Sequence, residues 1–218
     1  MSKVSLVGMT TPSAVTGCHT ANELIAYAAR VSNPGNQNNA ETAPKLLKYL
    51  IKNAHWSPFE MVSVTMEIKT TRDISRQIIR HRSFSFQEFS QRYAESTVFK
   101  TRECRLQDEK NRQNSIETED KELAENWNMA QAKVINAAND AYKWALKNGI
   151  AKEQARAVLP EGNTETTLYM SGTLRSWVHY CVLRMDNGTQ KEHIEIAKQC
   201  WDVLSQHFPD VAKAVEEL

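Results

Sequence analysis

The sequence is poor in cysteine, and the few cysteines it has are widely spaced. Cys18, Cys104, Cys181 and Cys200 are the only ones among 218 residues, and no two of them form a C-x-x-C pair. This spacing argues against a structural zinc site, a dithiol redox site and a secreted disulfide framework. We therefore expect reduced thiols in a cytoplasmic protein, with Cys181 and Cys200 as small core residues.

A charge excess of one sign and long apolar runs are also absent. The chain has 27 Lys and Arg against 26 Asp and Glu, a net charge of +1, so no overall field draws it to nucleic acid or to a membrane surface. No apolar run approaches the roughly 20 residues of a membrane-spanning helix. Neither G-x-G-x-x-G nor H-E-x-x-H occurs, which argues against a Rossmann cofactor pocket and a zinc-protease site. We expect no metal, no nucleic acid and no membrane as partners.

Hydrophobic periodicity predicts a mixture of strands and helices. Met61–Thr70 alternates apolar and polar residues, as a half-buried strand does, whereas Ala21–Val31 repeats apolar residues at helical spacing. Because strands and helices do not alternate regularly, a doubly wound parallel sheet is disfavoured. We predict a non-Rossmann α+β fold, a single domain over residues 1–218 in which a mostly antiparallel sheet is flanked by long helices. Further strands are predicted at residues 4–9, 99–105 and 166–171, and further helices around 46–51, 71–79, 117–148, 150–158, 174–184 and 190–207.

The longest predicted helix, Glu117–Asn148, carries an apolar stripe that includes Leu123, Trp127 and Trp144. Gly149 is its expected C-cap, because glycine adopts the left-handed conformation that ends many helices. The length of this helix suits a packing element or an oligomer contact. We expect its aromatic residues to lie in a core.

The segment Arg80–Tyr93 concentrates polar chemistry after the predicted helix 71–79. It contains three arginines, a histidine, a glutamate and three serines. A guanidinium donates two parallel hydrogen bonds and keeps its charge, which suits a phosphate ligand. The dipole of the helix would explain Arg80 and its neighbours alone, but not Glu88, Ser90 and Arg92. The segment therefore predicts an anion site.

The same segment resembles the motif R-H-R, seven residues, S of the flavin-dependent thymidylate synthases. Three further segments resemble this family in the expected order. His55–Glu60 is similar to its H-x-[S/T]-P-F-E stretch, Gln154–Pro160 to its A-R-x-x-L-P stretch, and Ser171–Arg184 to a later segment. The matching positions of the first motif are Arg80, His81, Arg82, Ser85, Glu88, Ser90, Arg92 and Tyr93.

The resemblance implies an enzyme that methylates dUMP reductively to dTMP, as part of dTMP biosynthesis. It implies FAD as cofactor, 5,10-methylenetetrahydrofolate as carbon donor and NADPH as the reductant of the flavin. It also implies a homotetramer whose active sites are shared between subunits. Without the resemblance, nothing in the sequence would predict FAD.

The resemblance further implies two sets of ligand-binding residues. His81, at the centre of the R-H-R motif, would lie near the flavin and the folate. The implied dUMP-binding residues are Gln77, Arg80, Glu88, Phe89, Ser90, Gln91, Arg92, Arg156 and Arg184. The implied FAD-binding residues are Ser57, Arg80, His81, Arg82, Glu88, Thr173, Leu174, Arg175 and His179.

Arg184 is the implied catalytic residue. A charged residue among apolar neighbours must be paired, exposed or functional, because unpaired burial of a charge is costly. The resemblance implies that its guanidinium stabilises negative charge on the uracil and promotes ionisation at N3, without an enzyme nucleophile. Cys104 is only a weak candidate for a catalytic thiol, and Ser90 has no evident His–Asp relay.

Three alternatives stay open. A nucleic-acid-binding protein would place the arginines on phosphates, although such a protein should be more basic than this chain. A homologue that binds nucleotide without turnover would fit the departures at Gln87, Thr173 and His179, where the family commonly has Asn. A metal enzyme, the third alternative, would recruit histidines that show no recognised ligand spacing, namely His55, His81, His179 and His193.

The turn-forming loop Ser32–Asn39 is a candidate lid on composition alone.

Overall fold

A computed structural model describes residues 2–96, 98–186 and 188–218 of the chain. Its strands are β1 Lys3–Met9, β2 Ser63–Thr71, β3 Ser85–Glu88, β4 Arg105–Gln107, β5 Ser115–Glu117 and β6 Glu165–Thr173. Four of them form an antiparallel sheet in the order β1-β2-β6-β3, and β4 and β5 form a separate two-stranded antiparallel sheet. The predicted α+β fold with an antiparallel, non-Rossmann sheet is therefore confirmed.

β2 is central to the sheet because every second residue of its sequence is apolar. Val64, Met66 and Ile68 point into the core and are at most 1% exposed. All nine residues of β2 pair with β6, so backbone hydrogen bonds run along the whole strand. This long pairing brings the ends of β2 and β6 to the elements that carry the site.

The helices pack around this sheet and against one another. α7 contacts β1 and α6, and α2 contacts α8. Trp177 of α6 is fully buried, and its indole N–H donates to the carbonyl of Val64 at 2.9 Å. In the part of the chain that is described, no helix is long and apolar enough to cross a membrane. The helices are α1 Ala21–Ala29, α2 Ala43–Lys52, α3 Arg72–Ile78, α4 Lys121–Lys147, α5 Lys152–Ala155, α6 Leu174–Arg184, α7 Lys191–His207 and α8 Pro209–Glu216.

Some local predictions are wrong. Residues 99–104 are not a strand, and β4 begins only at Arg105. Phe99 forms one isolated bridge with Thr164, and the backbone N–H of Arg102 donates to the side-chain Oε1 of Gln131 at 2.7 Å. The long helix begins at Lys121 and not at residue 117, since the Asp120 side chain caps it. The short strand β3 and the terminal helix α8 were not predicted. β3 lacks a clear periodic signal, whereas the apolar residues of α8 recur at helical spacing over only eight residues.

The apolar stripe of α4 is largely uncovered. Leu123 is 40% exposed, Trp127 41% and Trp144 62%, so the expectation that the aromatic residues of this helix lie in the core is wrong for the single chain. Only a narrow face of α4, with Tyr142 and Ala145 among its buried residues, meets the rest of the chain. The apolar stripe of α4 is therefore wider than the face that packs against the rest of the same chain.

Candidate active site

The R-H-R motif lies in the turn between α3 and β3. β3 pairs with β6 from Ser85 opposite Ser171 onward. Phe84, just before β3, lies so close to Gly172 that a Cβ atom at position 172 would come within 2.4 Å of its ring. The Phe84 ring also packs edge-on against Trp177, with a centroid distance of 4.9 Å. A glycine in β6 and an aromatic core therefore fix the turn.

His81 and Arg184 contact each other at the centre of the site. Arg184 Nε donates to His81 Nε2 at 2.8 Å, so that nitrogen of the imidazole must carry a lone pair. Burial first, and then the charge of Arg184, lower the pKa of His81 to about 4. At neutral pH His81 is thus uncharged, and it orients a guanidinium whose terminal nitrogens are not used by this bond.

A buried polar pair lies behind His81. The hydroxyl of Tyr180 and Nε2 of His193 are 3.0 Å apart, and both residues are at most 1% exposed. The ring of His81 stands edge-on to that of Tyr180, with centroids 4.8 Å apart. Burial, followed by the charges of Arg184 and His81, lowers the pKa of His193 to about 3. The pair supports His81 from the core side without adding a charge.

Gln77, on the last turn of α3, meets the N-terminus of α7. Its Nε2 donates to Gln190 Oε1 at 2.7 Å, and Gln190 Nε2 donates to Glu192 at 2.9 Å. Glu192 in turn pairs with Arg105 of β4 at 2.7 Å. Arg80, one turn after Gln77, is exposed.

A second group of residues surrounds a basic cavity of about 320 Å³ on another side of α3. Arg72 is only 7% exposed and Gln91 only 5%. Arg72 Nη1 and Gln91 Nε2 have no hydrogen-bond partner among the described residues. Burial lowers the pKa of Arg72, since the guanidinium loses hydration. Buried donors that lack a hydrogen bond suit an anionic ligand. The other lining residues are Arg76, Arg156, Ala157, Leu159 and Glu161.

Glu88 lies beside this cavity and is already surrounded by donors. Ser75 Oγ donates to its carboxylate at 2.9 Å and Thr166 Oγ1 at 3.0 Å. Arg76 Nη1 lies 3.3 Å and Arg72 Nη1 3.7 Å from it. The carboxylate therefore holds α3, β3 and β6 together at this point.

The segment after Glu88 contributes Gln91 to the lining of the same cavity. The backbone N–H of Phe89 donates to Thr167 at 2.8 Å, and its ring is 37% exposed. Ser90 Oγ accepts from the backbone N–H of Arg92 at 3.3 Å. Arg92 lies 3.3 Å from Glu153, and both side chains are about half exposed. Its ion pair is therefore weak and open to exchange with a ligand.

The residues implied for FAD gather where β6 passes into α6. Thr173 caps α6, accepting from the backbone N–H of Ser176. Leu174 is fully buried and its N–H donates to Val62 at 2.8 Å, so its side chain belongs to the core. Arg175 pairs with Glu60. Ser57 is exposed in the 3₁₀ turn before β2, and His179 stands edge-on to Trp56 at 4.7 Å.

One chain thus divides the implied residues between two places. His81, Arg184 and Gln77 form one group, and Arg156 and the segment 88–92 form the other. Within the described ranges, no hydrogen bond or ion pair joins the two groups. No sequence pattern predicted a supporting role for several further residues, because that role depends on contacts between distant segments. These residues are Arg72, Ser75, Thr166, Tyr180, Gln190, Glu192 and His193.

Comparison with known proteins identifies the family. A profile described as "Thymidylate synthase complementing protein" matches residues 15–210. A protein named flavin-dependent thymidylate synthase from Synechocystis sp. is 53% identical over 193 residues, which cover 88% of each chain. The chain belongs to the flavin-dependent thymidylate synthase family.

Other relatives agree with this assignment. A probable flavin-dependent thymidylate synthase of Paramecium bursaria Chlorella virus 1 is 51% identical over 214 residues, 97% of each chain. A crystal structure of a UMP/dUMP methylase, PolB from Streptomyces cacaoi bound with 5-Br dUMP, matches with a TM-score of 0.85 at 26% identity. The match covers 100% of this chain and 96% of that one. The predicted family and enzyme class are therefore confirmed.

The site residues suit the flavin nucleotide that the name of this family implies. Arg80 and Arg82 are exposed in the turn after α3, and among the described residues neither forms an ion pair. A diphosphate requires such free guanidinium groups. The neutral ring of His81 and the edge of Trp56 offer uncharged surface for an aromatic ring system. The donor set therefore fits an anionic, partly aromatic cofactor such as FAD.

Proposed function

We propose that this flavin-dependent thymidylate synthase converts dUMP to dTMP, with 5,10-methylenetetrahydrofolate as carbon donor. The observation that carries the proposal is the guanidinium of Arg184, which neutral His81 holds in one orientation at 2.8 Å. A fixed cation can stabilise charge that develops on a uracil ring without reorganising during the reaction. The name of the Streptomyces relative, a UMP/dUMP methylase, agrees with this substrate class.

dUMP is held in this proposal by both groups of site residues. The basic cavity supplies charge-assisted donors for the phosphate, with Arg156 and Arg92 as direct partners and Ser90 beside them. Gln77 and Arg80 contact the nucleoside side. Glu88 acts mainly by holding Ser75, Arg76 and Thr166, since its carboxylate is already bonded to them. Phe89 and Gln91 complete the dUMP set, together with Arg184.

FAD binds in this proposal at the turn and at the start of α6. Arg80 and Arg82 contact its phosphates, and His81 and His179 its rings. Ser57, Glu88, Thr173 and Arg175 complete the set, whereas Leu174, fully buried at the start of α6, contributes by packing. When bound and reduced by NADPH, FAD supplies the hydride for the new methyl group.

The chain's own contribution to the chemistry is charge stabilisation. Arg184 donates to the uracil and favours loss of the proton from N3, so the ring gains electron density. Two of the four thiols cannot reach the ring, since Cys181 and Cys200 are fully buried, and burial raises the pKa of both. Cys18 and Cys104 are partly exposed, but among the described residues neither is bonded to His81 or Arg184. Ser90 Oγ accepts a backbone hydrogen bond and has no base beside it in the described structure. The proposed reaction therefore needs no enzyme nucleophile.

A homotetramer with shared active sites is the proposed assembly. The uncovered stripe of α4, with Trp127 and Trp144, is the kind of aromatic surface that another subunit covers. The two groups of site residues lie on different sides of α3 within one chain, so a second copy would bring Arg156 of one subunit to Arg184 of another. We propose one domain over residues 1–218, on the basis of the extensive core around the main sheet. The free cysteines fit the cytoplasm.

The visible absorption spectrum of the purified protein, followed by dUMP addition, tests this function. The expected result is a flavin band whose shape changes with dUMP. dTMP should then form only when methylenetetrahydrofolate and NADPH are both present. A colourless protein that takes up no added FAD would contradict the proposal. A flavin band without turnover would favour a homologue that only binds nucleotide.

A further inference from the structure

Two glutamine side chains and a glutamate form a directed hydrogen-bond chain that ends at the site. Gln77 Nε2 donates to Gln190 Oε1 at 2.7 Å. Gln190 Nε2 donates to Glu192 Oε2 at 2.9 Å. Gln77 and Gln190 lie on separate elements, 113 residues apart in sequence. The chain thus connects the first turn of α7 to the last turn of α3.

Glu192 dictates the direction of this chain. A carboxylate only accepts hydrogen bonds, whereas an amide offers a donor on one side and an acceptor on the other. Gln190 must therefore turn its NH₂ group to Glu192 and its oxygen to Gln77. Gln77 must in turn point its own NH₂ group at Gln190. Gln77 Nε2 keeps one further N–H, but the other end of the amide, its Oε1, is thereby turned away from Gln190 and is an acceptor.

The environment of Glu192 keeps it ionised. Arg105 Nη2 contacts both of its oxygens, at 2.7 and 2.9 Å, and Arg102 Nη1 lies 3.5 Å away. Arg102 also bonds Asp73 in the first turn of α3 at 2.7 Å. Burial raises the pKa of Glu192, but hydrogen bonds and the two arginines outweigh it, and the net pKa is lowered.

We propose that Glu192 is a positioning residue that sets Gln77 as a hydrogen-bond acceptor for the nucleotide. The site then selects a nucleotide that presents an N–H or O–H group to Gln77 and disfavours one that presents a lone pair there. This inference rests on the proposed function, because only that function makes Gln77 a contact of the nucleotide. Glu192 itself touches no ligand and acts only through Gln190.

Reversal of the hydrogen-bond chain gives the sharpest test. Gln77→Glu places a carboxylate opposite Gln190 Oε1, and Gln190 cannot rotate while Glu192 holds its NH₂ group. Adding Glu192→Gln frees Gln190 to rotate and donate to the new carboxylate at position 77. The second change should therefore recover binding that the first change loses. If Glu192 had a merely structural role, adding Glu192→Gln would weaken dUMP binding further.

The measurement is the dissociation constant of dUMP for the FAD-bound protein, by calorimetry, with kcat and KM beside it. Gln77→Glu should weaken binding about tenfold or more, and the double variant Gln77→Glu/Glu192→Gln should recover about tenfold. Glu192→Gln alone should raise KM for dUMP more than it lowers kcat.

Glu195→Gln is the matched control, since Glu195 is an exposed carboxylate on the same helix. Combined with Gln77→Glu, Glu195→Gln removes one negative charge from α7 without freeing Gln190. It should therefore recover no dUMP affinity. Equal recovery by Glu195→Gln, or further loss with Glu192→Gln, would overturn the inference while the wild type still makes dTMP. A wild type that neither binds dUMP nor makes dTMP would instead refute the proposed function, and the inference with it.

Discussion

Arg184 Nε donates a hydrogen bond to His81 Nε2 across 2.8 Å, which joins the last residue of α6 to the turn after α3. The bond uses the side nitrogen of the guanidinium and requires an unprotonated imidazole nitrogen. It therefore couples the orientation of the proposed catalytic cation to the protonation state of a motif histidine.

Replacement of Arg184, the proposed catalytic residue, is the most direct prediction. Arg184→Ala should lower kcat for dTMP formation by about 10²–10³, as expected when a preorganised charge-stabilising donor is lost. FAD should remain bound, because Arg184 is not itself among the proposed FAD contacts, and the flavin absorption band reports this. Arg184→Lys keeps the charge but loses the planar fork, so it should recover little activity. Near-normal turnover in Arg184→Ala would refute the role in uracil activation.

Two active-site changes should complement each other if active sites are shared between subunits. Arg156→Ala and Arg184→Ala alter different groups of the site, which a single chain keeps apart. Mixing the two inactive proteins under conditions of subunit exchange should restore about a quarter of wild-type activity, since each shared site draws one residue from each of two chains. The double variant Arg156→Ala/Arg184→Ala, mixed with either single variant, is the control that should stay inactive. No recovery, despite exchange shown by mass spectrometry, would place both arginines in one subunit's site.

Buried His193 should make the fold sensitive to acid. Its pKa is about 3 in the folded chain and about 6.5 when unfolded, so the unfolded state binds the extra proton first as the pH falls. Stability from this group is complete above pH 6.5 and declines towards pH 3. Between pH 7 and 5 the loss from His193 amounts to about 2 kcal/mol.

His193→Gln tests this pH dependence, because Gln can still hydrogen-bond Tyr180 but does not titrate. Urea unfolding at pH 7 and pH 5 should show a smaller difference in the free energy of unfolding for this variant than for the wild type. His207→Gln, at an exposed position on the same helix, should keep the wild-type difference. An unchanged difference in His193→Gln would mean that other groups cause the acid sensitivity.

The contact between Gly172 and Phe84 predicts a steric effect. Gly172→Ala should destabilise the fold by about 1–3 kcal/mol, because its Cβ would overlap the Phe84 ring. In a Phe84→Ala background the same change should cost much less, and a double-mutant cycle by chemical denaturation measures the difference. Equal costs in both backgrounds would show that the ring moves aside freely.

Sequence reasoning recovered the elements with strong periodicity and missed those that depend on contacts. β2 alternates clearly and α6 spans Leu174–Arg184 as predicted. β3 is a four-residue strand within the motif, and only its pairing with β6 makes it a strand. The motifs indicated the arginines and His81, but not Glu192. The role of Glu192 depends on its contact with Gln190, which in turn meets Gln77, 113 residues away in sequence.

For α4, the sequence pattern predicted a contact that the single chain does not make. Its apolar stripe predicts burial, yet Trp144 is 62% exposed in one chain. An apolar stripe predicts that one face of a helix is buried, but not whether the same chain or another subunit buries it. The pattern of α4 therefore does not predict the oligomeric state.

The Gly172–Phe84 contact also restricts how this sequence can change. Because a Cβ atom at position 172 would lie 2.4 Å from the Phe84 ring, a larger residue at position 172 is tolerated only after position 84 has become smaller. If position 172 becomes larger first, the intermediate protein has a displaced R-H-R turn. Mutational paths through these two positions therefore have a required order, although neither residue takes part in the reaction.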